Sequence, residues 1–210
     1  MEDENLEMLQ GQKILTDRAL FIGSPSAHGP VTIGGTCELP GAISPITGRP
    51  LLQLAAVRLE REGFWIEGWR SKGIHFLYSW ICSICNGDFS YRQADGAITV
   101  LEAHRSRYPR EYPPHPDYPE AFEPRHFEFS TEPIEPTHDP VHQFGGVPIV
   151  IMQLVDPKTC VGCGADMPLA ASLGDRNFST KQGFAGNSGV QVIYWVCTSC
   201  QIVAARNYCD

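Results

Sequence analysis

The segment Gly73-Ile74-His75-Phe76-Leu77-Tyr78-Ser79-Trp80-Ile81-Cys82-Ser83-Ile84-Cys85 recurs later as Gly189-Val190-Gln191-Val192-Ile193-Tyr194-Trp195-Val196-Cys197-Thr198-Ser199-Cys200, with one inserted residue near Ser79. Both copies are β-branched and aromatic and contain no proline, which is the composition of a strand. Each ends in Cys-x-x-Cys. Working outward, Ile33-Gly34-Gly35 matches Phe144-Gly145-Gly146, and Gly48-Arg49-Pro50-Leu51 corresponds loosely to Gly164-Ala165-Asp166-Met167-Pro168-Leu169. Several anchors in one order point to a duplicated unit. Each unit has a Gly-Gly entry, a strand-rich middle and an aromatic strand that closes on paired cysteines.

The repeats span about residues 31–95 and 142–210 of a single domain covering 1–210. A unit of about 65 residues buries too little surface to stand alone, so two such units are expected to pack as one body. Further strands are expected at Ala97 to Leu101, at Val147 to Val155 and at Pro50 to Leu59, where Val57-Arg58-Leu59 alternates. A short helix is expected from Glu4 to Gln10. The expected fold is therefore α+β and β-rich: two pseudo-symmetric half-repeats with a zinc knuckle in the second.

Between the repeats lies a connector at about 108–140, whose stretch Pro109 to Pro140 holds nine prolines and eight carboxylates. Proline fixes φ and removes a backbone donor, so no regular element is expected to run through it. Its aromatics, Tyr112, Tyr118, Phe122, Phe127 and Phe129, predict an extended segment packed on the core rather than a free linker.

The chain has eight cysteines, at positions 37, 82, 85, 160, 163, 197, 200 and 209. The start, Met1-Glu2-Asp3-Glu4, lacks the basic and then apolar pattern of a secretory signal. No apolar run approaches the roughly 18 residues of a membrane helix. A cytoplasmic, reducing location is expected, and there paired cysteines favour metal over disulfides. Cys160-Val161-Gly162-Cys163-Gly164 and Cys197-Thr198-Ser199-Cys200 supply two thiolate pairs, and two such turns complete a tetrahedron around structural zinc. The 33 residues between the pairs exceed a minimal zinc ribbon and leave room for a strand-rich insertion. Thiol exchange is the rival use of Cys-x-x-Cys.

The first repeat departs from this pattern. Cys82 and Cys85 match Cys197 and Cys200, but Ser44-Pro45-Ile46-Thr47-Gly48 stands where Cys160 to Gly164 would be. Hydroxyls are poor zinc ligands, so Cys82 and Cys85 mark a degenerate second site. Cys37, Cys209 or a histidine can be imagined as replacement ligands, two buried free thiols are the plainer reading, and a pairing of Cys82 and Cys85 with one later pair also stays open. Among the histidines, His126, His138 and His142 fall near the connector's end, and no hydrolase elbow, phosphate loop or His-Glu-x-x-His is present.

Gly145-Gly146-Val147-Pro148 through Met152-Gln153, then Pro157, Cys160-x-x-Cys163-Gly164, Met167-Pro168, Tyr194-x-x-Cys197-x-x-Cys200 and the terminal Asn207-Tyr208-Cys209-Asp210 resemble the YwqG-like bacterial proteins of unknown function. Ile33-Gly34-Gly35, Leu39-Pro40 and Pro50-Leu51 to Leu54-Ala55 resemble the same family's opening, so the likeness covers about residues 31–210. A more distant similarity is to programmed cell death protein 2 and its relatives, which duplicate a Gly-Gly and Cys-rich unit and act as chaperones of a ribosomal protein. The YwqG resemblance implies a fold and no activity.

The formal net charge is −8, and a zinc held by four thiolates takes it to about −10. Such a chain repels phosphates, which makes nucleic acid an unsuitable partner, and suits a basic protein. Four thiolates also leave a zinc no open position for water. The expected function is a non-enzymatic, zinc-stabilised protein-binding module, an immunity or chaperone-like factor. The alternative is an enzyme with its site in a cleft between the halves, using His75, His142 or an open zinc position.

Overall fold

In the computed structural model, the described residues are 12–60, 63–79, 87–103, 121–132, 142–148, 155–174 and 191–208. They form eleven strands: β1 (Leu20–Pro25), β2 (Val31–Gly35), β3 (Leu52–Arg58), β4 (Gly73–Tyr78), β5 (Asp88–Ala94), β6 (Ala97–Ala103), β7 (Phe122–Ser130), β8 (Gln143–Phe144), β9 (Leu169–Gly174), β10 (Gln191–Cys197) and β11 (Ile202–Tyr208). The strands make one sheet in the order β4-β3-β2-β7-β1-β8-β9-β10-β11-β5-β6. Every neighbouring pair is antiparallel.

No helix occurs among the described residues, so the described fold is all-β and the expected α+β class is corrected. The helix expected from Glu4 to Gln10 lies outside the described residues. Several strands are buried on both faces, and β9 and β10 are buried at every residue. β10 shows why its sequence reads as an unbroken apolar run. Val192, Tyr194 and Val196 join the large core cluster on one face of the sheet. Ile193, Trp195 and Cys197 join a second cluster on the other face, under Val155, Cys160 and Met167.

The expectation that no regular element crosses Pro109 to Pro140 is also corrected. β7 lies within it and pairs with β2 on one side and β1 on the other. Proline is tolerated inside a sheet where the ladder is already interrupted. The register between β2 and β7 shifts between Ile33 and Gly35, opposite the stretch that contains Pro124. Phe122 and Phe127 anchor the strand in the core. The strands expected at Pro50 to Leu59 and Ala97 to Leu101 are β3 and β6. Of Val147 to Val155, the described residues 147, 148 and 155 are not strand, and the rest lie outside the described residues.

The two meanders β2-β3-β4 and β8-β9-β10 share one ladder pattern. Ile33, Ala55 and Phe76 form a cross-strand row in the first, and Phe144, Ala171 and Tyr194 form a row in the second. Each meander then skips one residue, Leu54 or Ala170, before the next pair. Phe76 and Tyr194 meet edge to face with ring centroids 5.0 Å apart.

The sheet curls until the free edge of β4 meets side chains of β5. The Leu77 N–H donates to the Tyr91 hydroxyl at 3.0 Å, and that hydroxyl donates to the His75 carbonyl. The His75 N–H donates to Gln93 Oε1 at 3.0 Å, and Gln93 Nε2 donates to the Gly73 carbonyl at 2.8 Å. Two side chains thus satisfy backbone groups that a neighbouring strand would otherwise take, which matters because a buried unpaired amide or carbonyl is costly. Asn207 of β11 extends the seam by accepting the Gly87 N–H at 2.9 Å.

Candidate metal centre

Cys160 and Cys163 sit at the tip of a tight hairpin. The Cys160 N–H donates to the Ala165 carbonyl and the Gly164 N–H to the Cys160 carbonyl, both at 2.8 Å. Gly164 takes φ +73°, a left-handed conformation that a side chain disfavours. The Gly162 N–H points at Cys160 Sγ at 3.4 Å. A backbone donor aimed at sulfur is what a thiolate uses to spread its charge. Cys197 and Cys200 flank the turn between β10 and β11, where Cys197 pairs with Ile202.

These two turns converge. One ligand atom from each of Cys160, Cys163, Cys197 and Cys200 lies within 4.8 Å of the others, and the group can hold a metal ion. Cys163 Sγ and Cys197 Sγ are 3.8 Å apart. That equals the edge, about 3.8 Å, of a tetrahedron whose centre lies about 2.3 Å from each sulfur. It is far longer than the roughly 2.05 Å of a disulfide, and all four are free thiols. Cys160 and Cys197 are buried, whereas Cys163 is exposed.

Two of the four thiols, Cys197 and Cys200, are held back from ionising. Burial, above all, pushes Cys197 up to about 12. Cys200 is raised by its hydrogen bond with Cys163 and by burial, and surface Cys163 is lowered by the backbone hydrogen bond of Ala165 and by its sulfur neighbours. A bound cation removes this restraint, because it replaces the protons and offsets the negative charge.

Both turns are tied to distant strands. Gln201, directly after Cys200, adopts φ +55°. Its Nε2 donates to the Gly68 carbonyl at 3.0 Å, its Oε1 accepts the Arg70 N–H at 2.8 Å, and its carbonyl accepts the Gln93 N–H at 2.9 Å. On the other knuckle, Lys158 Nζ reaches Glu102 at 3.0 Å and Asp88 at 3.4 Å. Arg206 grips Asp88 with two bonds of 2.7 and 3.1 Å and also holds Asp156 at 2.9 Å. Burial opposes a charge on Asp88, but its bonds to Arg206, and then Lys158, outweigh that and hold its carboxyl below the usual range. Neither Gln201 nor this ion network carried a sequence signature: the contacts span strands far apart in the chain.

The first repeat keeps the knuckle turn without its sulfurs. The Ser44 N–H donates to the Arg49 carbonyl at 2.8 Å and the Gly48 N–H to the Ser44 carbonyl at 2.9 Å. Gly48 takes φ +69°. The Ile46 N–H reaches Ser44 Oγ at 3.3 Å, as Gly162 reaches Cys160 Sγ. Buried Ser44 Oγ pairs with Ser79 Oγ at 2.8 Å, so a hydroxyl pair occupies the place of a metal ligand. Cys82, Cys85 and Cys209 lie outside the described residues. Cys37 is buried in the large core cluster and belongs to no metal-ligand group among the described residues. His142 is buried, and His126 on β7 pairs with the Thr32 hydroxyl at 3.0 Å. His138 lies outside the described residues. No helix among the described residues is long and apolar enough to cross a membrane.

No family model, no curated protein and no solved structure matches this chain.

Proposed function

We propose that the protein is a non-enzymatic β scaffold, stabilised by one structural zinc, that binds a basic protein partner as an immunity or chaperone-like factor. The observation that carries the zinc reading is the convergence on two turns of four thiols whose sulfurs lie within 4.8 Å of one another, with Cys163 and Cys197 3.8 Å apart. Cysteine-only sets at this spacing suit zinc, and a filled shell suits structure rather than catalysis. The matched turns at Ser44–Gly48 and Cys160–Gly164 support the reading of the scaffold as a duplicated unit with an eroded first metal site, in which the ladder register puts Ser79, paired with Ser44, at the place of Cys197.

The basic partner is supported by the net charge of −8. Exposed Glu123, Glu128 and Glu132 along and just after β7 place part of that charge on the surface. Charge of this kind steers association and makes it sensitive to salt. The test is retention of partners from the native cell by the zinc-loaded chain, repeated at rising salt and with Glu111, Asp117, Glu120, Glu123, Glu128, Glu132, Glu135 and Asp139 neutralised. A basic protein retained at low salt and lost on neutralisation supports the function. Retention that ignores both salt and these charges overturns it.

A further inference from the structure

The outer face of the sheet is covered over one meander and open over the other. In the second meander, Gln143, Ser172 and Ile193 form a cross-strand row, and each is at most 1 % exposed. The corresponding row of the first meander, one step from Ile33-Ala55-Phe76, is Thr32, Ala56 and His75. None of these three is fully buried. They line a cavity of about 680 Å³ together with Thr36, Glu38 and Gln53. Its lining comes from residues 32–75 of the first half and 121–124 of the connector, and not from the second half.

The chemistry of this cavity is one-sided. Gln53 Nε2 donates to the Gly34 carbonyl at 2.7 Å, so the Gln53 oxygen is the atom that faces His75 Nδ1, also at 2.7 Å. An amide oxygen only accepts, so Nδ1 carries the ring proton and Nε2 presents a lone pair. Burial lowers the His75 pKa and keeps the ring neutral. The Gly-Gly turn makes this relay possible. Gly34 and Gly35 take φ +76° and +80°, and a Cβ on Gly35 would lie 3.2 Å from Gln53 Nε2. The remaining polar lining residues are Glu38, Thr32 and Thr36, and among the described residues no lysine or arginine lines the cavity.

We propose that this groove binds an ammonium or guanidinium group, with His75 Nε2 and the Glu38 carboxylate as acceptors, and that its occupant is a lysine or arginine side chain of the basic partner. The volume exceeds that of one such side chain and leaves room for the flanking peptide, within the range of about 300–1,000 Å³ typical of ligand sites. The identity of the occupant rests on the proposed function, whereas the preference for a cation rests on the groove alone.

The test uses the full zinc-loaded chain and follows the His75 ring signals by NMR. The probes are blocked arginine and lysine amides, the uncharged norleucine amide, methylguanidinium, and a glycine-flanked arginine peptide. Saturable shifts are expected with the cationic amides and not with norleucine, and the peptide should bind at least about fivefold more tightly than methylguanidinium. Glu38→Gln, on the surface, should weaken the peptide about tenfold, the scale of one lost charge-assisted hydrogen bond. His75→Ala should abolish saturation, read from peptide fluorescence, with zinc content unchanged. No saturable response, an equal response to norleucine, or indifference to Glu38→Gln overturns the site. Saturation by methylguanidinium but not by the peptide overturns the partner side chain as occupant. If the peptide binds through His75 while no basic protein is retained from cells, the proposed function fails and the groove stands.

Discussion

Replacing Tyr91 by Phe removes one hydroxyl from the core and changes almost nothing else, which makes it a direct probe of how the curled sheet is closed. Tyr91 is 0 % exposed, and its hydroxyl serves the Leu77 N–H and the His75 carbonyl on the free edge of β4. Without it, two backbone groups lose their partner in a site that water does not reach. Each such loss costs about 1–3 kcal/mol, so about 2–4 kcal/mol is expected after partial relaxation. Tyr194 supplies the control. It is equally buried, in the same core, and its hydroxyl has no partner among the described residues. Tyr194→Phe removes a desolvated hydroxyl that nothing compensates, so it should be neutral or stabilising by up to about 1 kcal/mol. Urea unfolding with zinc in the buffer measures both, and an unchanged m-value shows that the denatured state is the same. The reasoning is refuted if both variants move stability the same way by similar amounts. It is also refuted if Tyr91→Phe stays within about 0.5 kcal/mol of the natural chain, the scale of an ordinary surface change.

Acid should weaken the fold through Asp88. Its carboxyl is held below the usual value in the folded state, so its contribution is complete above about pH 4–5 and is lost as pH falls through the lowered pKa. Asp88→Asn should cost about 3 kcal/mol at neutral pH by leaving Arg206 and Lys158 without their shared anion, and should flatten the acid limb of a stability–pH titration. Gly164→Ala should cost about 1–2 kcal/mol in thermal unfolding from its left-handed φ alone, with zinc content kept, since an added Cβ meets nothing within 4 Å. If the repeats are a duplication with one eroded site, Ser44→Cys combined with Thr47→Cys and Ser79→Cys, at the places of Cys160, Cys163 and Cys197, should raise the zinc content to two per chain by mass spectrometry under native conditions. A value that stays at one counts against that reading.

The legible part of the fold was what local chemistry dictates. β-Branched and aromatic segments without proline marked β4, β6 and β10, alternation at Val57-Arg58-Leu59 marked β3, and the four cysteines of the candidate metal centre follow from thiolate spacing alone. β7 was hidden because proline argues against strands, and only the register shift opposite Gly34 makes room for Pro124. β5 and β11 escaped notice because polar residues such as Arg92, Gln93, Arg206 and Asn207 sit in them. Those residues have their partners elsewhere in the fold, at Cys200, Gly73, Asp88 and Gly87. Gln201 was invisible for a related reason: its role depends on Gly68 and Arg70 being brought beside the second knuckle. The open row at His75 needed the ladder itself, since Thr32, Ala56 and His75 meet only through register.

The central claim is that Cys160, Cys163, Cys197 and Cys200 hold one zinc that is part of the fold. Binding at a structural tetrathiolate site is worth about 10–16 kcal/mol, comparable with the whole stability of a domain. X-ray absorption at the zinc edge, on protein purified from zinc-containing medium under reducing conditions, tests this most directly. The account predicts one zinc per chain, four sulfur scatterers at about 2.3 Å, and loss of cooperative unfolding when the metal is stripped or Cys197 is changed to Ser. A shell containing nitrogen or oxygen, a disulfide between the two pairs, or a metal-free protein of unchanged thermal stability would contradict it.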